Sequence, residues 1–275
     1  MLKQRVITAV ILFMLLLAAI FALPSWGWSA LVTLMIWQGA VEWARLSKMD
    51  GHVATWYCIA TLLVTLAMWW FDAGLTGERV LLPHLFWYFA AIILWVLVVP
   101  AWMIAGWKPQ NPWLLGLVGW VVLLPTGLAM IDLRNVSPWL LLGAMSVVWV
   151  ADTAAYFSGK RFGKNKLAPA ISPGKTWEGV FGALFVVTIY VLIAGWASGL
   201  FKSYPIFPGI IIASWWWVGL AVIGDLFESA VKRQAGVKDS GALLPGHGGL
   251  LDRIDALTST LPFAAIALVF QEMSR

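Results

Sequence analysis

Charge is concentrated between Asp225 and Asp255 in a chain that is otherwise mostly apolar. This stretch, DLFESAVKRQAGVKDSGALLPGHGGLLDRID, holds the aspartates Asp225, Asp239, Asp252 and Asp255. It also holds four fixed cations, Lys232, Arg233, Lys238 and Arg253, and one histidine, His247. Charges near membrane depth are expensive, so such a cluster marks a working site. On a helix, Asp225, Ser229 and Lys232 are spaced i, i+4, i+7 and share a face, with Arg233 beside it. Asp252 and Asp255 open the next apolar run, where the helix dipole favours acids. Paired carboxylates of this kind hold a hard cation through oxygen. Gly246, Gly248 and Gly249 permit the close backbone approach that a phosphate-cradling turn needs. Carboxylates for a divalent metal, with Lys and Arg for phosphate oxygens, are the equipment of phosphoryl and nucleotidyl transfer. His247 has no Cys or His partner at zinc spacing. It is read as a phosphate contact or a cap of the turn.

A second polar stretch, SGKRFGKNKLAPAISPGKTWEG, spans 158–179. Gly174-Lys175-Thr176 invites a P-loop reading, which fails because Pro169 stands where a Walker A motif needs Gly, and no strand is expected before it. What remains is a basic loop able to hold phosphates through Lys and backbone N–H groups, or to touch anionic headgroups. Asp152, about one turn inside the preceding apolar run, favours the first reading, because a carboxylate there is usually functional.

The elements that must position these groups are membrane helices. The chain of 275 residues is 61% hydrophobic and 11% charged, with a mean hydropathy of +0.86. A soluble domain carries about 25% charged residues, so much of this surface must face lipid. The 20 Trp fit the headgroup boundary. Nine spans are expected, each of about 20 apolar residues. They run near Val6–Leu23, Trp26–Trp43, Val53–Phe71, His84–Ile104, Pro112–Met130, Pro138–Phe157, Gly179–Phe201, Pro208–Ala230 and Ala256–Gln271. They must be helices, since backbone in lipid has to satisfy its own hydrogen bonds. The expectation is an all-α, polytopic protein forming one membrane domain over 1–275, with its chemistry in 152–179 and 225–255. The first span is too long for a signal-peptide core and lacks a clean small-residue cleavage site. Single Cys58 excludes an intrachain disulfide. His52 and His84 fall at span ends and are read as interfacial.

The net charge of +5 does not point to nucleic acid, because the cations sit in loops between apolar runs. Under a nine-span topology, Arg79, Arg134, Lys202 and Arg275 lie on one side and the other fourteen of the 18 Lys and Arg on the opposite side. The positive-inside rule then puts the N-terminus and both polar stretches in the cytoplasm and the C-terminus outside.

Residues 229–233 (SAVKR), Lys238-Asp239 and 244–255 (LPGHGGLLDRID) resemble the signature of the phosphatidate cytidylyltransferases (CDP-diacylglycerol synthases). Residues 172–179 (SPGKTWEG) resemble a second segment of that family. The resemblance implies transfer of CMP from CTP to phosphatidic acid, giving CDP-diacylglycerol and pyrophosphate. It also implies Mg²⁺, a homodimer, and placement in the cell inner membrane. By motif match Asp225 and Asp252 would hold the metal, with Asp255 as a further ligand. Ser229, Lys232 and Arg233 would hold phosphates, with Lys175, His247 and Gly248 close by. Asp225, Lys232, Arg233 and Asp252 would form the catalytic set. Two rivals share parts of this logic: a lipid or polyprenol kinase, and an ion-coupled transporter with Asp152 and Asp225 as coupling sites.

Overall fold

A computed structural model of the chain describes residues 2–73, 81–199, 207–243, 246 and 248–273. Helices form nearly all of it: α1 (Leu2–Ala22), α2 (Ser25–Leu46), α3 (Gly51–Ala73), α4 (Leu81–Ile93), α5 (Val99–Ala105), α6 (Pro112–Val136), α7 (Pro138–Phe162), α8 (Trp177–Ala197), α9 (Phe207–Ala235) and α10 (Leu251–Met273). A π-helical turn, Leu94–Val98, joins α4 to α5 without breaking the run. Pro100 explains it: the ring removes an N–H and crowds the carbonyl four residues back, so the turn widens.

The all-α, multi-pass architecture is as expected. Among the described residues, seven helical runs are long and apolar enough to cross a membrane: Gly51–Trp70, Leu82–Ala105, Pro112–Val136, Pro138–Phe162, Trp177–Ala197, Pro208–Ala235 and Leu251–Phe270. The apolar part of α1, Ile7–Ala22, is shorter. Helix α2 is not among the seven: Ser29, Thr33, Gln38, Glu42 and Arg45 make it less apolar. Its buried face includes Ser29, Thr33 and Glu42 beside Trp28, Val32, Ile36 and Trp43. Helix α6 is the central post, buried almost throughout from Val122 to Arg134, with α2, α4, α7 and α10 against it.

Three local outcomes depart from expectation. The basic loop is not strand-free: β1 (Lys166–Ala168) pairs antiparallel with β2 (Ser172–Thr176), in register Lys166↔Thr176 and Ala168↔Ser172. The run before Gly174 is thus extended, but Pro169 still excludes a P-loop. His84 is not interfacial. It is 2% exposed, with Nδ1 2.9 Å from Asp132 Oδ2, and the Tyr88 hydroxyl donates to the same oxygen at 2.6 Å. A buried carboxylate requires such partners. Arg134 does not serve as a loop cation. Its guanidinium is buried and donates to the carbonyls of Ile20 and Leu23, satisfying the open C-terminal end of α1.

Packing also fixes the rotation of α9. Phe227 is 1% exposed, and the rings of Trp95, Trp102 and Trp43 lie 5.6, 5.4 and 6.4 Å from its own. With Phe227 held on one face, Asp225 is turned to the other, toward α7, α8 and the hairpin.

Candidate active site

Asp225, Asp252, Asp255 and Asp152 line one cleft of about 680 Å³ between α7, α8, α9, α10 and the hairpin. Lys160, Lys166, Lys175 and Arg253 line it too. A volume of that order suits a small-molecule site, for which about 300–1,000 Å³ is usual. The two polar stretches of the sequence therefore meet, although more than forty positions separate them. Four carboxylates and four cations around one space create a place where phosphate and a hard cation are both stabilised.

The hairpin brings Lys175 into the cleft. Thr176 ends β2 and caps α8, its hydroxyl accepting from Gly179 N at 3.1 Å. Glu178, in the first turn of α8, accepts from Asn165 N and from Asn165 Nδ2, the latter at 2.8 Å. Glu178 thus ties the start of the hairpin to the helix and is not among the residues lining the cleft. With the hairpin anchored at both ends, Lys175 Nζ reaches Asp225 Oδ2 at 2.6 Å. The Ser229 hydroxyl points to the other oxygen of Asp225 at a long 3.4 Å.

Asp252 sits in the first turn of α10 and is heavily engaged. Oδ2 accepts from Gly249 N at 2.8 Å, Ser240 N at 2.9 Å and the Ser240 hydroxyl at 3.0 Å. Oδ1 accepts from Lys232 Nζ at 2.5 Å. Gly248 has φ +83°, and a Cβ there would lie 2.6 Å from Asp252 Oδ2. Glycine is needed at that position both for the turn and for the approach.

Lys232 is placed differently from a phosphate-holding residue. Its ammonium lies between Glu228, at 3.1 Å, and Asp252, and the side chain is 11% exposed. It neutralises two acids. Arg233 is exposed and donates to Val237 O at 3.1 Å, closing the end of α9. Neither Arg233 nor Ser229 is among the residues lining the cleft. His247 lies outside the described residues.

The donor set fits Mg²⁺ by chemistry. Asp225, Asp252, Asp255 and Asp152 offer hard oxygen, with no thiolate or imidazole among the described lining residues. Among the described residues no three such side chains form a ready-made cluster. Mg²⁺ does not require one, since it commonly takes one or two carboxylates and completes its shell with phosphate and water.

Some of the site was missed from sequence. Glu42, on α2, is fully buried and accepts from Leu250 N, Leu251 N and the Ser240 hydroxyl at 2.9, 2.9 and 2.8 Å. A lone acid near the end of an apolar run was the signal available. Lys160 and Lys166 of the basic loop line the cleft, in keeping with the phosphate-holding reading of that loop. Arg253 was counted as a cation without a role.

A second, apolar groove of about 460 Å³ opens on the other side of the same wall. Leu12, Phe13 and Leu16 of α1 and Met145 and Trp149 of α7 are among the residues that line it. Asp152, Asp252, Arg253 and Asp255 line both spaces.

Comparison with known proteins follows the same line. The model of the "Cytidylyltransferase family" matches residues 3–271. The chain is 39% identical over 272 residues to the phosphatidate cytidylyltransferase of Pseudomonas aeruginosa, covering 97% of each chain. It is 36% identical over 279 residues to that of Haemophilus influenzae, covering 96% of this chain and 97% of the relative. A Staphylococcus aureus protein of the same name is 45% identical over 130 residues, 47% of this chain and 48% of its own. A match over nearly the whole length, added to a cleft that Asp252, Arg253 and Asp255 of the signature and Lys175 of the second segment help to line, places this chain in the cytidylyltransferase family.

Proposed function

We propose that this protein transfers CMP from CTP to phosphatidic acid, giving CDP-diacylglycerol and pyrophosphate. One observation carries the reading. A polar, cation-lined cleft and an apolar groove meet at one wall of carboxylates and Arg253. A nucleotide triphosphate suits the first space and acyl chains suit the second, with the reacting phosphates brought together at the wall.

In this reading Lys175, Lys160 and Lys166 hold the triphosphate, and Arg253, which faces both spaces, holds the lipid phosphate. One oxygen of the lipid phosphate attacks the α-phosphorus of CTP. The bond from the α-phosphorus to the oxygen bridging it to the β-phosphorus breaks, and pyrophosphate leaves with that electron pair. The attacking group is a phosphate monoester and already an anion near pH 7, so no strong base is required. Lys175 offsets the charge that builds on the leaving group. Asp225, Asp252 and Asp255 are the residues that would hold Mg²⁺, which supplies charge neutralisation at the phosphates when bound. Lys232 keeps Asp252 and Glu228 compatible with burial.

The finer topology belongs to the same proposal: nine spans, N-terminus and cleft on the cytoplasmic side, in the cell inner membrane. The excess of Lys and Arg on one side supports it. A homodimer rests on the family resemblance. Product analysis tests the reaction. With CTP labelled at the α-phosphate and in the cytosine ring, both labels should appear together on the lipid. Transfer of a γ-label alone would replace this reading with a kinase.

A further inference from the structure

We infer that Glu42 and Ser240 are positioning residues for Asp252, an inference that rests on Asp252 belonging to the transfer site. Glu42 reaches this region from α2, 198 positions before Ser240 and 209 before Leu251. It is 0% exposed and lines neither the polar cleft nor the apolar groove. It touches no space that a substrate would fill, so its role passes through other residues.

Its two oxygens take four donors. Oε1 accepts from Gln38 Nε2 and Leu250 N, each at 2.9 Å. Oε2 accepts from Leu251 N at 2.9 Å and from the Ser240 hydroxyl at 2.8 Å. The backbone donors Leu250 N and Leu251 N are those at the N-terminus of α10, which no residue of α10 itself can satisfy. Glu42 therefore fixes where α10 begins, and Asp252 is its second residue.

Ser240 links the two acids directly. Its hydroxyl lies 2.8 Å from Glu42 Oε2 and 3.0 Å from Asp252 Oδ2, and its N–H donates to that same Asp252 oxygen. A hydroxyl has one hydrogen, so it donates to one carboxylate at a time. Glu42 thus sets how tightly Oδ2 of Asp252 is held, and so how Oδ1 is presented to Lys232 and the cleft. Gly249 lets the three groups come this close. A Cβ at that position would collide with the Ser240 hydroxyl and with Glu42.

The test uses purified full-length protein in lipid–detergent micelles. CTP binding is measured by calorimetry without phosphatidate, and turnover is normalised to the CTP-binding stoichiometry. Ser240→Ala leaves the Glu42 bonds to α10 and the backbone N–H bond from position 240 to Asp252 in place, and removes only the hydroxyl that joins the two acids. It should lower kcat by about 10-fold or more, the scale of a misplaced reacting group, with the KM for CTP and the thermal midpoint nearly unchanged. Glu42→Gln should lower kcat at least as far and lower the midpoint too. A per-site kcat for Ser240→Ala within about threefold of wild type overturns the inference, whatever Glu42→Gln does to folding. Asp252→Asn in the same series separates the two levels. If it is inactive while Ser240→Ala is fully active, the positioning role alone fails. If it is fully active, the site assignment fails and the inference falls with it.

Discussion

Replacing Lys232 with methionine is the sharpest test of how the site is held together. The substitution keeps the unbranched stem, shorter by one atom, and removes the charge. Lys232 is 11% exposed and its partners Glu228 and Asp252 are each 6% exposed at the side chain. Removing one member of a buried ion pair leaves an uncompensated charge and costs about 3–5 kcal/mol. The loss should fall unevenly. Asp252 keeps two backbone N–H donors and the Ser240 hydroxyl, whereas among the described residues Glu228 Oε1 meets no N–H or cation, and Glu228 has the Asp255 carboxyl as its other polar neighbour. Glu228 therefore depends most on Lys232. Adding Glu228→Gln to Lys232→Met should recover about 1–3 kcal/mol, the cost of an unsatisfied buried group. Intrinsic tryptophan fluorescence during heating reads this out directly, because Trp95, Trp102 and Trp43 pack on Phe227 beside Glu228. The expected fall in midpoint for Lys232→Met is about 10 °C, partly reversed in the double variant. A phosphate-holding lysine behaves otherwise: its loss weakens CTP binding and leaves the midpoint alone. An unchanged midpoint with weakened CTP binding refutes the ion-pair account.

Two further outcomes are expected. Lys175→Met should raise the KM for CTP by about 10- to 100-fold, equivalent to one charge-assisted bond of about 1.5–3 kcal/mol; an unchanged KM confines Lys175 to its pairing with Asp225. A cysteine reporter placed after Arg275 should react with a membrane-impermeant reagent in intact cells, and reaction only after permeabilisation breaks the nine-span topology.

The cleft explains why charges so costly in this setting are kept. Two of the acids facing it have a cation or several donors within reach: Lys175 for Asp225, and Lys232, Ser240 and Gly249 for Asp252. These partners hold an anionic site folded before substrate arrives. Lys175 comes from an anchored hairpin and not from a free loop, so it is pre-aimed at the place where triphosphate charge would collect.

Much of this was readable from the residues. The apolar excess required lipid-facing helices, because a folded core cannot absorb so many hydrophobic side chains. The polar groups could be placed because they interrupt runs that lipid would otherwise cover, and the i, i+4, i+7 spacing put Asp225 and Ser229 on one face. What spacing could not tell was which neighbour a flexible side chain chooses. Lys232 had Glu228 one turn below it and Asp252 twenty positions ahead, and it took both. The strand pair at Lys166–Thr176 was hidden because Gly and Pro signal a turn without saying whether its arms pair. His84 looked interfacial because its partner, Asp132, stands 48 positions away.

Local chemistry alone therefore determined that this is a helical membrane protein with acids and bases gathered for phosphate chemistry. Which acids share a cleft, which cation is spent on neutralising them, and that Glu42 of the second helix sets the start of the last one were decided by tertiary packing. The physical reason is range: helix periodicity orders side chains within a few turns, while contacts across hundreds of positions depend on how whole helices bury their faces against one another.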